Sequence, residues 1–278
     1  MRVAGLIGNP VEHSLSPAMH NAAFAALGID ARYELWPTDL DDLPDRIAGL
    51  RHGDILGANV TVPHKAAVMP LLDEVTDTAR RIGAVNTIIP RDGRLVGDNT
   101  DAFGFRQSLD EATAGRSTRS ALVVGAGGAA RAVLVALQDA GIGDLRLVNR
   151  TVEKAVALAG SLSAPGKPAI RPAPWAELGS IAASASLVVN ATSIGWHGDE
   201  LPFDPAIVAA LPGDAVVMDL TYRQTALLRM AGDRGLRAAD GLPMLIHQGA
   251  RAFTLWTRQD APVTAMTSAV REAYARRS

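Results

Sequence analysis

Proline suits the first position of a helix, because the N–H it lacks would be unpaired there, so Pro63 is expected to open one and to put Lys65 in its first turn. A lysine so placed lies at the positive end of the helix dipole, which destabilises its ammonium and equips it as a general acid/base. Asp101 is the carboxylate expected to orient it and a substrate hydroxyl. His64 is adjacent but should project differently from the helix, and is read as structural or solvent-facing. Further polar residues sit at strand ends, where open α/β sheets place their ligands: Ser14 and Ser16, Asn59 to Lys65, Asn86-Thr87, and Asp98 to Asp101. Taken singly, each has an ordinary structural use. Ser16 before Pro17 fits a helix N-cap, and Asp101 could cap a helix beginning at Ala102. The six histidines show no metal-ligand spacing, so no metal site is expected.

A second set of residues surrounds a glycine turn. Gly125, Gly127 and Ala130 form a G-x-G-x-x-A between a strand and a helix, the context that dinucleotide binding requires. Gly125 permits the tight turn, Gly127 allows close approach of a pyrophosphate, and the helix start offers free N–H groups. The next strand ends in Asn149-Arg150-Thr151, with Lys154 one turn on, where NAD-binding chains place a carboxylate for the ribose 2′-hydroxyl. No acid stands at that tip. An arginine can lie on a 2′-phosphate instead, so NADP is expected over NAD.

Short aliphatic runs alternate with helical patterns throughout, which predicts an α/β fold with mainly parallel sheets. In the first part, strands are expected at Val3 to Ile7, Arg32 to Pro37 and Ile55 to Val62. Helices are expected from Ser16 to Leu27, from Leu40 to Leu50 and after Pro63. A hairpin is expected to turn at Asp92-Gly93 between Ala84–Pro90 and Arg94–Gly97. After a polar break at residues 114 to 118, a βαβ unit follows. Its strands are Ala121 to Val124 and Leu145 to Val148 around a helix from Ala130 to Ala140. Later strands are expected at Ser186 to Asn190 and Ala215 to Leu220. Later helices are expected after Thr151, around Trp175, after Gln224, and at Leu242 to Trp256 and Thr264 to Tyr274. The division expected is 1–101, 102–236 and 237–278, the last segment being helices that return to the first domain.

Composition narrows the functional classes. With 278 residues there is chain for two domains, and 27 basic against 29 acidic residues leave no electrostatic footprint for nucleic acid. Cysteine is absent, which excludes disulfides, thiol nucleophiles and cysteine-bound metal centres. No stretch approaches the ~20 apolar residues of a membrane span, and the N-terminus lacks the pattern of a secretory signal. A cytoplasmic protein without nucleic-acid or membrane partners is expected. Aromatics are 4% of the chain, so the core must be aliphatic and alanine-rich.

Together these segments resemble the shikimate dehydrogenase family over nearly the whole chain. The first half carries Ser14-Leu15-Ser16-Pro17, Asn59-Val60-Thr61-Val62-Pro63-His64-Lys65, Gly83-Ala84-Val85-Asn86-Thr87 and Gly97-Asp98-Asn99-Thr100-Asp101. The second carries Gly125-Ala126-Gly127-Gly128-Ala129-Ala130-Arg131, Asn149-Arg150-Thr151, Asn190-Ala191-Thr192-Ser193-Ile194-Gly195, Asp219-Leu220-Thr221-Tyr222 and Met244-Leu245-Ile246-His247-Gln248-Gly249.

The resemblance implies a substrate domain followed by a Rossmann-type NADP domain, and NADP-dependent reduction of 3-dehydroshikimate to shikimate. It implies Lys65 and Asp101 as the catalytic pair. Ser14, Ser16 and Tyr222 would hold the substrate carboxylate, and Thr61, Asn86 and Gln248 the ring hydroxyls. Gly125, Ala126, Gly127, Gly128 and Ala129 would bind the cofactor together with Asn149, Arg150, Thr151 and Lys154, with Thr192 and Gly241 on the nicotinamide side of an interdomain cleft that closes by a hinge. A homodimer is compatible with the resemblance. Trp196 departs from it, since the family more often has methionine there; the indole would either reshape the cofactor wall or simply pack. The rival readings are a quinate/shikimate dehydrogenase using NAD, and a nicotinamide-binding sensor without turnover.

Overall fold

The computed structural model describes residues 1–114 and 116–276, and Gly115 of the expected polar break lies outside them. The chain forms two compact units. One comprises Met1–Gly104 with Ile246–Ser278, and the other is Phe105–Leu245.

The first unit opens with β1 (Arg2–Gly8), α1 (Ser16–Ala26), β2 (Ala31–Pro37), α2 (Leu43–Gly49) and β3 (Ile55–Val60). It continues with β4 (Glu74–Val75), α3 (Asp77–Ile82), β5 (Thr87–Arg91) and β6 (Arg94–Asp98). Its sheet has the order β2-β1-β3-β5-β6-β4. β1 lies parallel to both β2 and β3, whereas β5 runs antiparallel to β3 and β6. The β5–β6 hairpin turns on Asp92 (φ 52°) and Gly93 (φ 75°), the paired positive angles that a two-residue turn needs to match strand twist. Ile7, Ala58, Val60 and Ile88 pack with Leu43, Ile47 and Leu50 into one core, so β1, β3 and β5 end in a fixed register.

α4 (Asp101–Thr113) leads into the second unit, built from β7 (Ser120–Val124), α5 (Gly128–Asp139), β8 (Asp144–Val148), α6 (Val152–Ser161), β9 (Ile170–Ala173), α7 (Leu178–Ala182), β10 (Leu187–Asn190), α8 (Pro205–Ala209), β11 (Val216–Asp219), α9 (Ala226–Asp233) and β12 (Arg237–Ala239). Every strand pairing in its sheet, ordered β12-β11-β10-β7-β8-β9, is parallel. β7 and β10 are buried on both faces, which is why Ala121 to Val124 and Leu187 to Val189 read as unbroken apolar runs. β7 is the switch point, with strands wound outward on either side of it, and ligands of such sheets sit at the carboxyl ends there. α10 (Leu242–Thr257) and α11 (Val263–Ala275) close the chain, and α11 packs on α1 in the first unit. Among the described residues no helix is long and apolar enough to cross a membrane.

One expected element is missing. After Val60 the chain makes consecutive turns, closed by His64 N–H to the Thr61 carbonyl (2.9 Å) and Val68 N–H to that of His64 (3.0 Å), before a short 3-10 turn at Met69–Leu71. Lys65 therefore stands in a turn and feels no helix dipole. Ser16 is likewise not the cap of α1; it is the first helical residue, and Ser14 Oγ accepts its backbone N–H at 3.1 Å. Asp101 is the first residue of α4 rather than a cap before it, and its own N–H is met by Asn99 Oδ1 at 3.0 Å.

Candidate active site

The turn after β3 and the start of α4 bring together the two residues with acid/base chemistry. Lys65 Nζ lies 2.5 Å from Asp101 Oδ2, with side-chain exposures of 18% and 9%. Partial burial is what gives such a pair weight, since an exposed pair is screened by solvent. Asn86, just before β5 and 2% exposed, donates from Nδ2 to Asp101 Oδ1 at 2.8 Å. Its amide orientation is fixed, because Thr100 N–H must find an acceptor and takes Asn86 Oδ1 at 2.7 Å. Both Asp101 oxygens are thus engaged, leaving Lys65 as the member of the pair free to exchange a proton with a bound hydroxyl or ketone. Gln248, on α10, joins the cluster through Oε1, 3.3 Å from Asn86 Nδ2.

A line of buried donors supports this cluster from behind. Tyr33 Oη donates to Asn59 Oδ1 (2.8 Å), Asn59 Nδ2 to Thr87 Oγ1 (3.2 Å), and Thr87 Oγ1 to Asn86 Oδ1 (2.9 Å). Tyr33 also hydrogen-bonds with the Ser16 hydroxyl, so Ser16 is tied to the same network, and burial pushes the tyrosine hydroxyl above its usual range. Ser14 adjoins Ser16, and Thr61 follows β3 with its backbone held to Ile7 O (2.8 Å). His64 does not face solvent: it is fully buried, with Nε2 2.7 Å from the Thr38 carbonyl, so it anchors the turn that carries Lys65. His20 stacks on Tyr33 with centroids 4.4 Å apart, and desolvation lowers its pKa from 6.5 to about 3. Asn59, Thr87 and Thr100 lie inside segments that the sequence marks as polar. Their signal is a side chain such as Asn59 within the otherwise apolar Ile55–Val60. Tyr33 gives no such signal, since a tyrosine in a strand is ordinary.

The second unit offers a different kind of surface. Gly127 caps α5 without a side-chain acceptor, and no acid occupies the helix's first turn. A Cβ at Gly127 or Gly128 would meet nothing within 4 Å, so the turn's backbone is open to a ligand. Gly125 has φ +109°, and a Cβ there would press on Thr192 Cγ2 (2.9 Å) and the Ala191 carbonyl (3.0 Å). The unobstructed N–H groups and positive helix end suit a pyrophosphate. At the tip of β8, Asn149 Nδ2 donates to the Thr151 carbonyl (2.8 Å), while Arg150, Thr151 and Lys154 are exposed. These residues fit a 2′-phosphate: two cations and a hydroxyl, with the first acid of α6 at Glu153. Ala126 flanks the turn on one side and Ala129 on the other, both half-buried.

Two loops at the carboxyl ends of β10 and β11 complete that unit's site. Asp219, 1% exposed, accepts from Asn190 Nδ2 (3.0 Å), Thr221 Oγ1 (2.7 Å) and Thr225 Oγ1 (2.8 Å). Thr192 donates to Asn190 Oδ1 at 2.7 Å, so it is held through the same hub. Gly241 N–H is bonded to the Thr221 carbonyl (3.1 Å), and any side chain there would drive into Leu220 O. Tyr222 is half-buried in this unit, its ring perpendicular to Trp196 at 4.5 Å.

Family models match three stretches of the chain. Residues 6–88 match a shikimate dehydrogenase substrate binding domain, 109–195 a shikimate/quinate 5-dehydrogenase, and 241–271 a shikimate 5′-dehydrogenase C-terminal domain. An NADP-type shikimate dehydrogenase of Moorella thermoacetica is 48% identical, covering 98% of this chain and 93% of the relative. A crystal structure of shikimate 5-dehydrogenase from Thermus thermophilus, in complex with NADP(H) and shikimate, is 42% identical with a TM-score of 0.87, covering 98% of this chain and 100% of that one. Quinate dehydrogenase from Corynebacterium glutamicum, in complex with NAD, is 34% identical with a TM-score of 0.89, covering 98% and 99%.

Proposed function

The chain belongs to the shikimate dehydrogenase family, and from that premise we propose that it catalyses the reversible, NADP-dependent reduction of 3-dehydroshikimate to shikimate, a step of aromatic amino-acid biosynthesis. The observation that carries the reading is the partly buried Lys65–Asp101 pair, 2.5 Å apart and oriented by Asn86.

NADPH, when bound, supplies a hydride to the ketone carbon. The carbonyl oxygen then needs one proton, and Lys65 gives it from Nζ, completing the alcohol. Asp101 keeps the ammonium aimed, and its second oxygen is held by Asn86, so the carboxylate does not wander between partners. Lys65 retains 18% side-chain exposure, which lets solvent return the proton. In the oxidative direction neutral Lys65 accepts the hydroxyl proton. Ser14, Ser16 and Tyr222 hold the substrate carboxylate, while Thr61, Asn86 and Gln248 take ring hydroxyls; a polyhydroxylated ring is recognised by directional donors and acceptors more than by apolar area. Gly125 to Ala129 cradle the pyrophosphate, and Asn149, Arg150, Thr151 and Lys154 take the 2′-phosphate. Thr192 and Gly241 shape the nicotinamide side.

The test is turnover by the purified chain. Mixed with 3-dehydroshikimate and NADPH, it is expected to consume both in equal amounts and release shikimate. Binding of both without consumption would identify a sensor and refute the reading.

A further inference from the structure

We propose that Trp196 is a positioning residue for the substrate, acting through Tyr222; this rests on the reading above, in which Tyr222 binds the substrate carboxylate. The loop that carries Trp196 is fixed at several points. Its start is tied to β11 by Asn190 and Asp219, and Gly195 turns with φ +92° against Thr225, itself bonded to Asp219. Trp196 N–H reaches the Ser193 carbonyl (3.1 Å), and the Trp196 carbonyl accepts from Arg223 Nη1 (3.0 Å). The indole therefore projects from a rigid frame into the residue just before that arginine.

Its ring meets the Tyr222 ring edge-on, at 82° and 4.5 Å between centroids. In that geometry the positive edge of one ring faces the negative face of the other, which favours one ring orientation over the alternatives. Tyr222 is half-buried, and the indole packed edge-on against its ring narrows the χ angles open to it. That contact contributes to aiming the phenol hydroxyl. Held in place before substrate arrives, the hydroxyl loses less rotamer freedom on binding.

The experiment is a double-mutant cycle on the full-length enzyme, reading KM for shikimate, KM for NADP and kcat separately. An aromatic pair of this kind is worth about a three- to tenfold change in binding. Trp196→Ala is expected to raise the shikimate KM by that factor, leaving the NADP KM and kcat within about twofold. Trp196→Phe, which keeps an aromatic edge, is expected to restore the wild-type value. In a Tyr222→Phe background, Trp196→Ala should add less than about twofold, because no hydroxyl is left to aim. Should the alanine variant not fold, Trp196→Met, which fills space without a ring, carries the same test.

A raised NADP KM with an unchanged shikimate KM would make the indole a cofactor wall and overturn the proposal. So would an equal effect of Trp196→Ala in both backgrounds. A Tyr222→Phe enzyme with a wild-type shikimate KM would instead remove Tyr222 from the site, and the proposal with it. If Tyr222→Phe raises KM while every Trp196 variant is silent, the site reading stands and the role of Trp196 falls.

Discussion

The two units hold their proposed ligands by opposite means. In the first unit Lys65, Asn86, Asp101 and Gln248 are side chains locked to one another, and Asn86, Asp101 and Gln248 are all buried. In the second, the turn at Gly125 to Gly128 offers backbone, and the cations Arg150 and Lys154 lie exposed. The difference follows from the tasks. A proton must pass at a defined atom, which needs pre-set distances. A phosphate group accepts donors from many directions, so backbone N–H groups and exposed cations suffice.

Substitutions should therefore fail differently in the two places. The largest effect is expected at Lys65. Lys65→Ala should lower kcat about 10²- to 10⁴-fold while NADP affinity, measured by fluorescence titration, stays within about twofold. Near-normal kcat would dissolve the contrast by making the first unit a binding surface too. At Arg150 the expected loss is smaller and confined to one cofactor. Arg150→Ala should raise the NADP KM about tenfold, the scale of one charge-assisted hydrogen bond, and leave NAD unchanged. Equal losses for both cofactors would take Arg150 off the 2′-phosphate.

Two glycines sharpen the comparison within the second unit. Gly241→Ala places a methyl against the Leu220 carbonyl and is expected to cost about 1–3 kcal/mol, read as a fall in Tm of several degrees. Gly127→Ala meets open space, so Tm should hold while the affinity for NADP and NAD falls together. A Gly127→Ala protein with wild-type cofactor affinity would contradict the backbone-cradle account.

An effect of a different kind, on the pH dependence of stability, belongs to the first unit's buried ring. His20 has a folded pKa of about 3 against 6.5 when unfolded, so between those values the unfolded chain binds more protons and stability rises with pH. That contribution is full above about pH 6.5 and is lost progressively on acidification, at no more than about 1.4 kcal/mol per pH unit. His20→Phe keeps a stacking ring and should flatten the slope of Tm against pH. An unchanged slope would assign acid sensitivity elsewhere.

The same contrast explains what the sequence discloses. The second unit's turn is local: strand, glycines and helix follow one another, so the β7–α5 site is readable from adjacent residues. The first unit's cluster joins positions far apart, and its supports, such as the Tyr33–Asn59 bond, arise only when β2 and β3 are both paired to β1. The helix expected after Pro63 does not form, for a related reason. Its sequence suits a helix start, but His64 is drawn into the core by the Thr38 carbonyl, and the chain closes in turns. The sequence thus points correctly to Lys65 as a residue paired with Asp101, on an argument about a dipole that is not there. Short strands such as Glu74–Val75 and Arg237–Ala239 escape a sequence reading, since two or three residues give no periodicity to read.

The most direct test of the central claim is the initial rate of reduced-cofactor formation with shikimate and with quinate, each offered with NADP and with NAD. The proposed function predicts the highest kcat/KM for shikimate with NADP, and the preference for NADP over NAD follows from the tip of β8, which presents Arg150 and no carboxylate. Preference for quinate with NAD would contradict it, leaving the Lys65–Asp101 pair in place and overturning the reading of how the second unit selects its cofactor.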